Sequence, residues 1–376
     1  MTARLMQFMR FLLILAVAAA LFVTAGAYNV SARAGHWPVT AWFLHFVMRQ
    51  SAQSHALGIE VPALDDPRMI IRGATYYAVG CAVCHGEPGA SFTPIVHYMT
   101  PEAPDLGPLI EKWDTHELFW IVDNGIKYTG MPAWAAAGRA DEVWSMVAFL
   151  EVLPQLDARE YRKLAFEPAP TANPEPSLTN LEVDGKGARM LEQCARCHAY
   201  DGMGHDTGAF PYLAGQHETY LYESLKSYAA GRRASGIMQP IAAAVSDAGM
   251  QYLARHFATA ESRKAPARGR ALDEDLANGA RIAMNGLPER GVPACHHCHG
   301  PGRVADNPVF PRLAGQNYNY LVTQLGLWRD DTRGGTRYAA LMIAVADKLD
   351  NKQIRDVAAY YASLDWNSAR SAEPPP

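Results

Sequence analysis

The chain has 376 residues, a formal net charge of −4 with histidines neutral, and a charged fraction of only 19%. That balance excludes a polycation for nucleic acid. No Gly-rich phosphate loop, Ser-His-Asp constellation or flavin fingerprint occurs either, so the organic chemistry is expected to be done by another protein.

In chain order, Met1 to Arg10 carries the positive charges Arg4 and Arg10, and an apolar stretch runs from Phe11 to Ala27. As a helix that stretch reaches roughly 26 Å, close to the hydrocarbon core of a bilayer. A basic flank before an apolar run is also a secretory signal, and Ala25-Gly26-Ala27 offers a cleavage site. The run is longer than a usual signal core, so residues 1–33 are expected to be a retained anchor. Either reading sends the rest of the chain out of the cytoplasm. Residues 34–66 follow, and His36 to Arg49 is rich in Trp and Phe. Such a segment suits a membrane interface, or packing against the next domain or a partner subunit.

All six cysteines belong to one repeated pattern, Cys-x-x-Cys-His: Cys81-Ala82-Val83-Cys84-His85, Cys194-Ala195-Arg196-Cys197-His198 and Cys295-His296-His297-Cys298-His299. This pattern is the covalent attachment site of a c-type haem, the thiols binding the porphyrin and the histidine ligating the iron. A zinc ribbon would bring two Cys-x-x-Cys units into one small domain, and these are about a hundred residues apart. A disulfide scaffold belongs to short secreted chains. Three covalently attached haems are therefore expected, on Cys81, Cys84, Cys194, Cys197, Cys295 and Cys298, with His85, His198 and His299 as proximal iron ligands.

The three motifs head three segments, 67–156, 183–262 and 273–366. Between the first two, residues 157–182 form a linker that carries Pro168, Pro170, Pro174 and Pro176 and has no hydrophobic periodicity. Residues 263–272 form a second linker, and 367–376 a Pro-ending tail expected to be disordered. The second and third segments are internal repeats: Phe210-Pro211-Tyr212-Leu213-Ala214-Gly215-Gln216 recurs as Phe310-Pro311-Arg312-Leu313-Ala314-Gly315-Gln316. The first carries a shorter echo, Pro104-Asp105-Leu106. Stretches with small residues and Tyr or Met precede each motif, at Arg72 to Tyr77, Gly187 to Leu191 and Gly279 to Met284. Each segment closes with a helical pattern, marked by Val143, Trp144, Val147 and Leu150, then Tyr252, Leu253 and Phe257, then Ile354, Val357, Tyr360 and Tyr361. Strand-like alternation is scarce, so each segment is expected to be a small all-α fold wrapped round its porphyrin.

A methionine opposite histidine marks electron-transfer cytochromes and raises the potential. Each segment places one before its closing helix: Met131 between Gly130 and Pro132, Met238 two residues before Pro240, and Met342 ahead of Ile343-Ala344-Val345. These three are the expected distal ligands. Met99, Met203 and Met284 lie near but are assigned core or surface roles, and His296 and His297 are expected to face outward. A ligating histidine donates its second ring N–H to a neighbour, and the carbonyls of Pro104, Pro211 and Pro311 are the candidates. Arg232 and Arg233 are read as solvated, with haem propionates as the alternative partners.

With these motifs the second and third segments resemble class I cytochrome c domains of the periplasmic dihaem type. The first resembles the cytochrome c domains with a Gly-Ile-Lys-x-x-Gly-Met-Pro-Ala loop, here Gly125 to Ala133. The layout as a whole, three tandem domains after an N-terminal transmembrane helix, is similar to the three-haem cytochrome subunits of bacterial membrane-bound alcohol, aldehyde and gluconate dehydrogenases. The resemblance implies a non-catalytic electron carrier at the inner membrane, its haem domains facing the periplasm. Its partners would be a catalytic dehydrogenase subunit, membrane lipid, and membrane quinone or a terminal oxidase. A standalone tethered carrier between a quinol-oxidising complex and a haem–copper oxidase is the alternative, followed by a haem peroxidase, which would need an open iron position.

Overall fold

The computed structural model describes residues 3–166, 186–262, 275–300 and 307–365. Pro168, Pro170, Pro174 and Pro176 of the expected linker, residues 263–272 and the tail 367–376 lie outside the described residues. Within them the architecture is all-α. There is no strand, only isolated bridges between Arg233 and Gly334 and between Leu287 and Val292.

Helix α1 (Ala3–Thr24) is 22 residues long, apolar and wholly exposed, and is long enough to cross a membrane. Helix α2 (Pro38–Ala56) begins on a proline, whose missing N–H costs nothing in the first turn. Its two halves differ. Val39, Trp42, Phe43 and Phe46 are exposed, whereas Ala52 and Ala56 are fully buried. His55 stacks on Trp120 at 5.4 Å and the Arg49 guanidinium lies 5.3 Å over Trp113, which docks the second half on the first motif-bearing unit.

That unit comprises α3 (Pro67–Gly80), α4 (Ala82–His85), α5 (Gly107–Ile110), α6 (Thr115–Asn124), α7 (Ala140–Val152) and α8 (Ala158–Phe166). The second comprises α9 (Lys186–His198), α10 (Glu218–Ala229), α11 (Met238–Ala243) and α12 (Asp247–Thr259). The third comprises α13 (Leu276–Asn285), α14 (His296–His299), α15 (Tyr318–Arg329), α16 (Ala339–Ala346) and α17 (Asn351–Ser363). Local chemistry sets where these helices start. Asp66, Ser246 and Asp275 accept a backbone N–H of the first turn at α3, α12 and α13, and Asp114 and Asp350 form capping boxes with Glu117 and Gln353.

In each unit the helix before or through the haem motif crosses the closing helix. The first and third crossings are too tight for a side chain. A Cβ on Gly73 of α3 would lie 2.0 Å from the Ser145 carbonyl of α7, and one on Gly279 of α13 would lie 2.1 Å from the Asp356 carbonyl of α17. Glycine is what lets these backbones touch. In the second unit the contact is looser, Met190 of α9 lying 3.0 Å from where Gly249 of α12 would carry a Cβ. Each unit contributes its own apolar centre, the first cluster also taking in Ala209 and Phe210 of the second unit. Tyr77, Phe149 and Tyr161 centre the first cluster, Leu191, Leu253 and Phe257 the second, and Ile282, Ile354 and Val357 the third.

One expectation needs correcting. The linker was to begin at Asp157, but α8 occupies Ala158–Phe166 and buries Tyr161 and Ala165 against the first core. Its apolar face is only a few side chains wide, too little for periodicity to show in so short a run.

The second and third units join through the repeated loop. The Gln216 amide accepts from Arg312 N–H at 2.8 Å and donates to its carbonyl at 3.0 Å. Gln316 does the same to Tyr212, at 2.9 Å for both bonds. Each loop thus uses the same glutamine on the same position of the other, which is the self-complementary contact of a two-fold arrangement. Both loops are tied to their own closing helices, Gly215 N–H to the Phe257 carbonyl and Gly315 N–H to the Tyr361 carbonyl.

Candidate haem attachment sites

The three Cys-x-x-Cys-His motifs each form a helical turn: α4 in the first unit, the end of α9 in the second, α14 in the third. The turn puts both thiols and the imidazole on one side. All six cysteines are half-buried and none forms a disulfide. Burial pushes the thiols of Cys81 and Cys197 up to about 12 and those of Cys194 and Cys295 to about 11. Thiols so disposed are poor free nucleophiles.

The three histidines are oriented alike. His85 Nδ1 lies 2.9 Å from the Pro104 carbonyl, His198 Nδ1 3.2 Å from that of Pro211, and His299 Nδ1 2.8 Å from that of Pro311. A carbonyl can only accept, so Nδ1 carries the proton and Nε2 is left as a lone pair facing away, the tautomer an iron ligand needs. The sequence had singled out these three carbonyls. Burial holds His198 neutral, with its pKa lowered to about 4, and lowers that of His299 as well.

The methionine loops are rigidly built. Around Met131, Gly125 has φ +63° and its missing Cβ would meet the Pro132 carbonyl carbon at 2.4 Å. Thr129 Oγ1 accepts from Met131 N–H at 3.0 Å, and the Met131 carbonyl accepts from Ile126 N–H. Met238 opens α11, its N–H donating to Ser235 Oγ at 3.0 Å. Met342 sits inside α16, because four extra residues lengthen this loop relative to its repeat. Register is recovered behind it, since Ala242 and Ala346, each four residues after its methionine, are both fully buried. Of the other methionines, Met203 is core, Met284 is at the surface, and Met99 packs on the Met131 loop with its methyl carbon 2.3 Å from where Gly130 would carry a Cβ. The spacer histidines differ from expectation in one respect. His297 is exposed, but His296 is half-buried between Tyr360 and Tyr361, with ring centroids 6.0 and 5.7 Å away.

The largest departure is Arg233, expected in solvent and in fact buried; Arg232 beside it is exposed. Arg233 donates to Ser224 Oγ at 3.1 Å and to Tyr320 Oη at 2.8 Å, and stacks 4.6 Å over Tyr228. Its repeat counterpart Arg333 is buried too, bonded to Gln324 and 3.8 Å over Trp328. Their recurrence a hundred residues apart was the available signal. Among the described residues no carboxylate pairs with either, and the buried indole N–H of Trp328 has no partner. Two buried guanidiniums demand an anion. A porphyrin bearing propionates fits that demand, and the oriented imidazoles and paired thiols fit its iron and vinyl groups.

Residues 184–265 match the family model for cytochrome c, and residues 69–150 that for cytochrome c oxidase, cbb3-type, subunit III. The chain is 40% identical over 174 residues to a thiosulfate dehydrogenase electron acceptor of Stutzerimonas stutzeri, spanning 46% of this chain and 78% of that protein. The chain belongs to the cytochrome c family. A second thiosulfate dehydrogenase electron acceptor, from Thiomonas intermedia, is 35% identical over 182 residues, 48% of this chain and 82% of that one. Cytochrome c4 of Pseudomonas aeruginosa is 32% identical over 179 residues, 47% and 87% of the two chains. Cytochrome c domains carry covalently bound haem c, and the relatives are electron-transfer proteins, so this cytochrome transfers electrons.

Proposed function

We propose that this cytochrome is a three-haem, membrane-tethered relay. It takes single electrons from a periplasmic dehydrogenase and passes them to a terminal oxidase or to quinone. The observation that carries the reading is the threefold recurrence of one arrangement, a Cys-x-x-Cys-His turn whose histidine is fixed by a proline carbonyl ahead of a methionine loop. Bound haem supplies a one-electron ferric/ferrous couple at each site. The protein does the rest. Cys81, Cys84, Cys194, Cys197, Cys295 and Cys298 would hold the porphyrins through thioether bonds. His85, His198 and His299, each held by its proline carbonyl, would supply one ligand to each iron, and Met131, Met238 and Met342 would supply a second, the set that favours electron transfer over oxygen chemistry. The buried guanidiniums of Arg233 and Arg333 would supply the positive charge that haem propionates require.

The units at 67–156, 183–262 and 273–366 are read as three class I domains, supported by the recurrence in each of a Cys-x-x-Cys-His turn, a histidine bonded to a proline carbonyl and a closing helix. Helix α1 is read as a retained anchor in the inner membrane, supported by its length and uniform exposure, with the domains in the periplasm. The named relatives support a thiosulfate-oxidising dehydrogenase as donor, their aligned lengths being those of two such domains. The likeness of residues 69–150 to an oxidase subunit supports an oxidase on the acceptor side, which is also what the standalone-carrier reading requires.

The test is stopped-flow mixing of the oxidised, detergent-solubilised chain with a thiosulfate dehydrogenase and thiosulfate. Full reduction of three haems within turnover times is the expected result. A chain that stays ferric with this donor, while dithionite reduces it, refutes the donor; mass analysis finding fewer than three added haems refutes the relay.

A further inference from the structure

The first and second units meet at a buried carboxylate. Glu142, in the first turn of α7, is 3% exposed and receives donors from both sides. From its own unit come Trp134 Nε1 at 2.9 Å and the Arg139 guanidinium at 2.9 Å. From the second unit come Ser235 Oγ at 2.6 Å and Gly236 N–H at 2.7 Å. Arg139 adds a bond of 2.5 Å to the Ala234 carbonyl. Every partner is a donor, so the carboxylate uses its lone pairs on both units at once, and charge-assisted bonds of this kind are the stronger sort.

The partners are not arbitrary residues. Trp134 lies three residues after Met131; Ser235 and Gly236 lie three and two residues before Met238. Ser235 Oγ, while donating to Glu142, also accepts from Met238 N–H. The indole rests directly on the second loop, since a Cβ on Gly236 would fall 2.1 Å from Trp134 Nε1. Apolar packing is continuous across the same junction. One cluster holds Tyr76, Cys81 and Trp134 of the first unit together with Cys197, Phe210 and Ile237 of the second.

We propose that this junction is the contact across which the first metal site exchanges electrons with the second, with Trp134, Glu142 and Ser235 as positioning residues that hold the two methionine loops together. The inference rests on the reading of Met131 and Met238 as iron ligands. The step is a bare electron exchange, one iron going from ferrous to ferric as its neighbour goes from ferric to ferrous, and no bond or proton moves. Trp134 supplies an aromatic bridge between the loops, Glu142 keeps it seated, and Gly236 leaves it room.

The experiment uses the full-length holoprotein. Flash photoreduction by a soluble sensitiser is followed by the concentration-independent redistribution of the reduced haem bands. Trp134→Phe removes the indole N–H and keeps a ring, and Gly236→Ala pushes the indole off the loop. Each should slow exchange between the first site and the other two by about tenfold or more, as loss of a charge-assisted contact shifts its equilibrium by that order. Redistribution between the second and third sites, the methionine–iron absorption and the reduction potentials should stay as in the native protein. Wild-type exchange in both variants with that absorption intact overturns the proposal. Glu142→Gln, which retains volume and one acceptor oxygen, replaces Gly236→Ala if the latter does not fold, and is held to the same criterion. Met131→Ala, run in parallel, tests the ligand reading alone. If the absorption is unchanged there, that reading fails, whatever Trp134→Phe does.

Discussion

Replacing Gln316 by alanine should cost the protein more than any surface change of similar size. The side chain is buried, and its oxygen accepts from Tyr212 N–H and from Asn317 N–H, each at 2.9 Å, while its nitrogen donates to the Tyr212 carbonyl at 2.9 Å. Truncation takes away the partner of three main-chain groups at a closed contact. A buried group so stripped costs about 1–3 kcal/mol. Water entering the space left by the amide would recover part of this, which leaves about 2–4 kcal/mol. For cooperative units of this combined size that is a fall in Tm of about 5–15 °C. Thermal unfolding of the oxidised protein, followed by circular dichroism in the haem Soret band, reads it directly. Gln216→Ala should fall by a comparable amount, since Gln216 makes the mirror-image pair of bonds to Arg312. The double variant should lose less than the sum, because one contact is being broken twice. A fall below about 1 °C in both single variants would refute the view that these glutamines hold the two units together.

Gly73→Ala and Gly279→Ala each drive a methyl group into a carbonyl oxygen about 2 Å away; overpacking of this kind costs about 1–3 kcal/mol or more, measured as a lowered denaturant midpoint. Asp66→Asn tests the start of α3. Burial works against ionisation of Asp66, but its bonds to Arg68 outweigh that and hold the carboxyl below the ordinary range. Its contribution is therefore complete above the unfolded carboxylate value and fades as pH falls through the lowered one, so the variant should be less acid-sensitive, by unfolding curves between pH 7 and pH 3. Arg233→Met should displace the visible spectrum and lower the potential of the second or third haem, by spectroelectrochemical titration, if that guanidinium faces propionates; an unchanged titration would mean it serves only protein partners, Ser224, Tyr228, Tyr320 and Gln324.

What the amino-acid string showed was what depends on neighbours in sequence. The attachment turns are local, and so are the Pro-x-Leu carbonyls, which fall 12 to 19 residues after their histidines and bond them as expected. Arg233 is read from sequence as solvated because its burial depends on Tyr320 and Gln324, some ninety residues further on. Glu142 was equally hidden. An acidic residue in the first turn of a helix is ordinary helix chemistry, and only the fold brings Ser235 and Gly236 to it. Helix α8 was lost to the prolines behind it, since Tyr161 and Ala165 are too few to mark a period. His296 departs in the same sense as Arg233, because Tyr360 and Tyr361 from the closing helix cover a position that a tight turn would otherwise leave in water.

The joints between units are made of groups hidden from solvent: Glu142, Ser235, Gln216, Gln316, Arg233 and Arg333. Dissolved ions weaken attraction between exposed charges and scarcely reach buried ones. Salt strong enough to release a docked soluble partner should therefore leave the internal spacing of the chain as it was. Docking and conduction then answer to different conditions, and ionic strength alone can separate the two in a rate measurement.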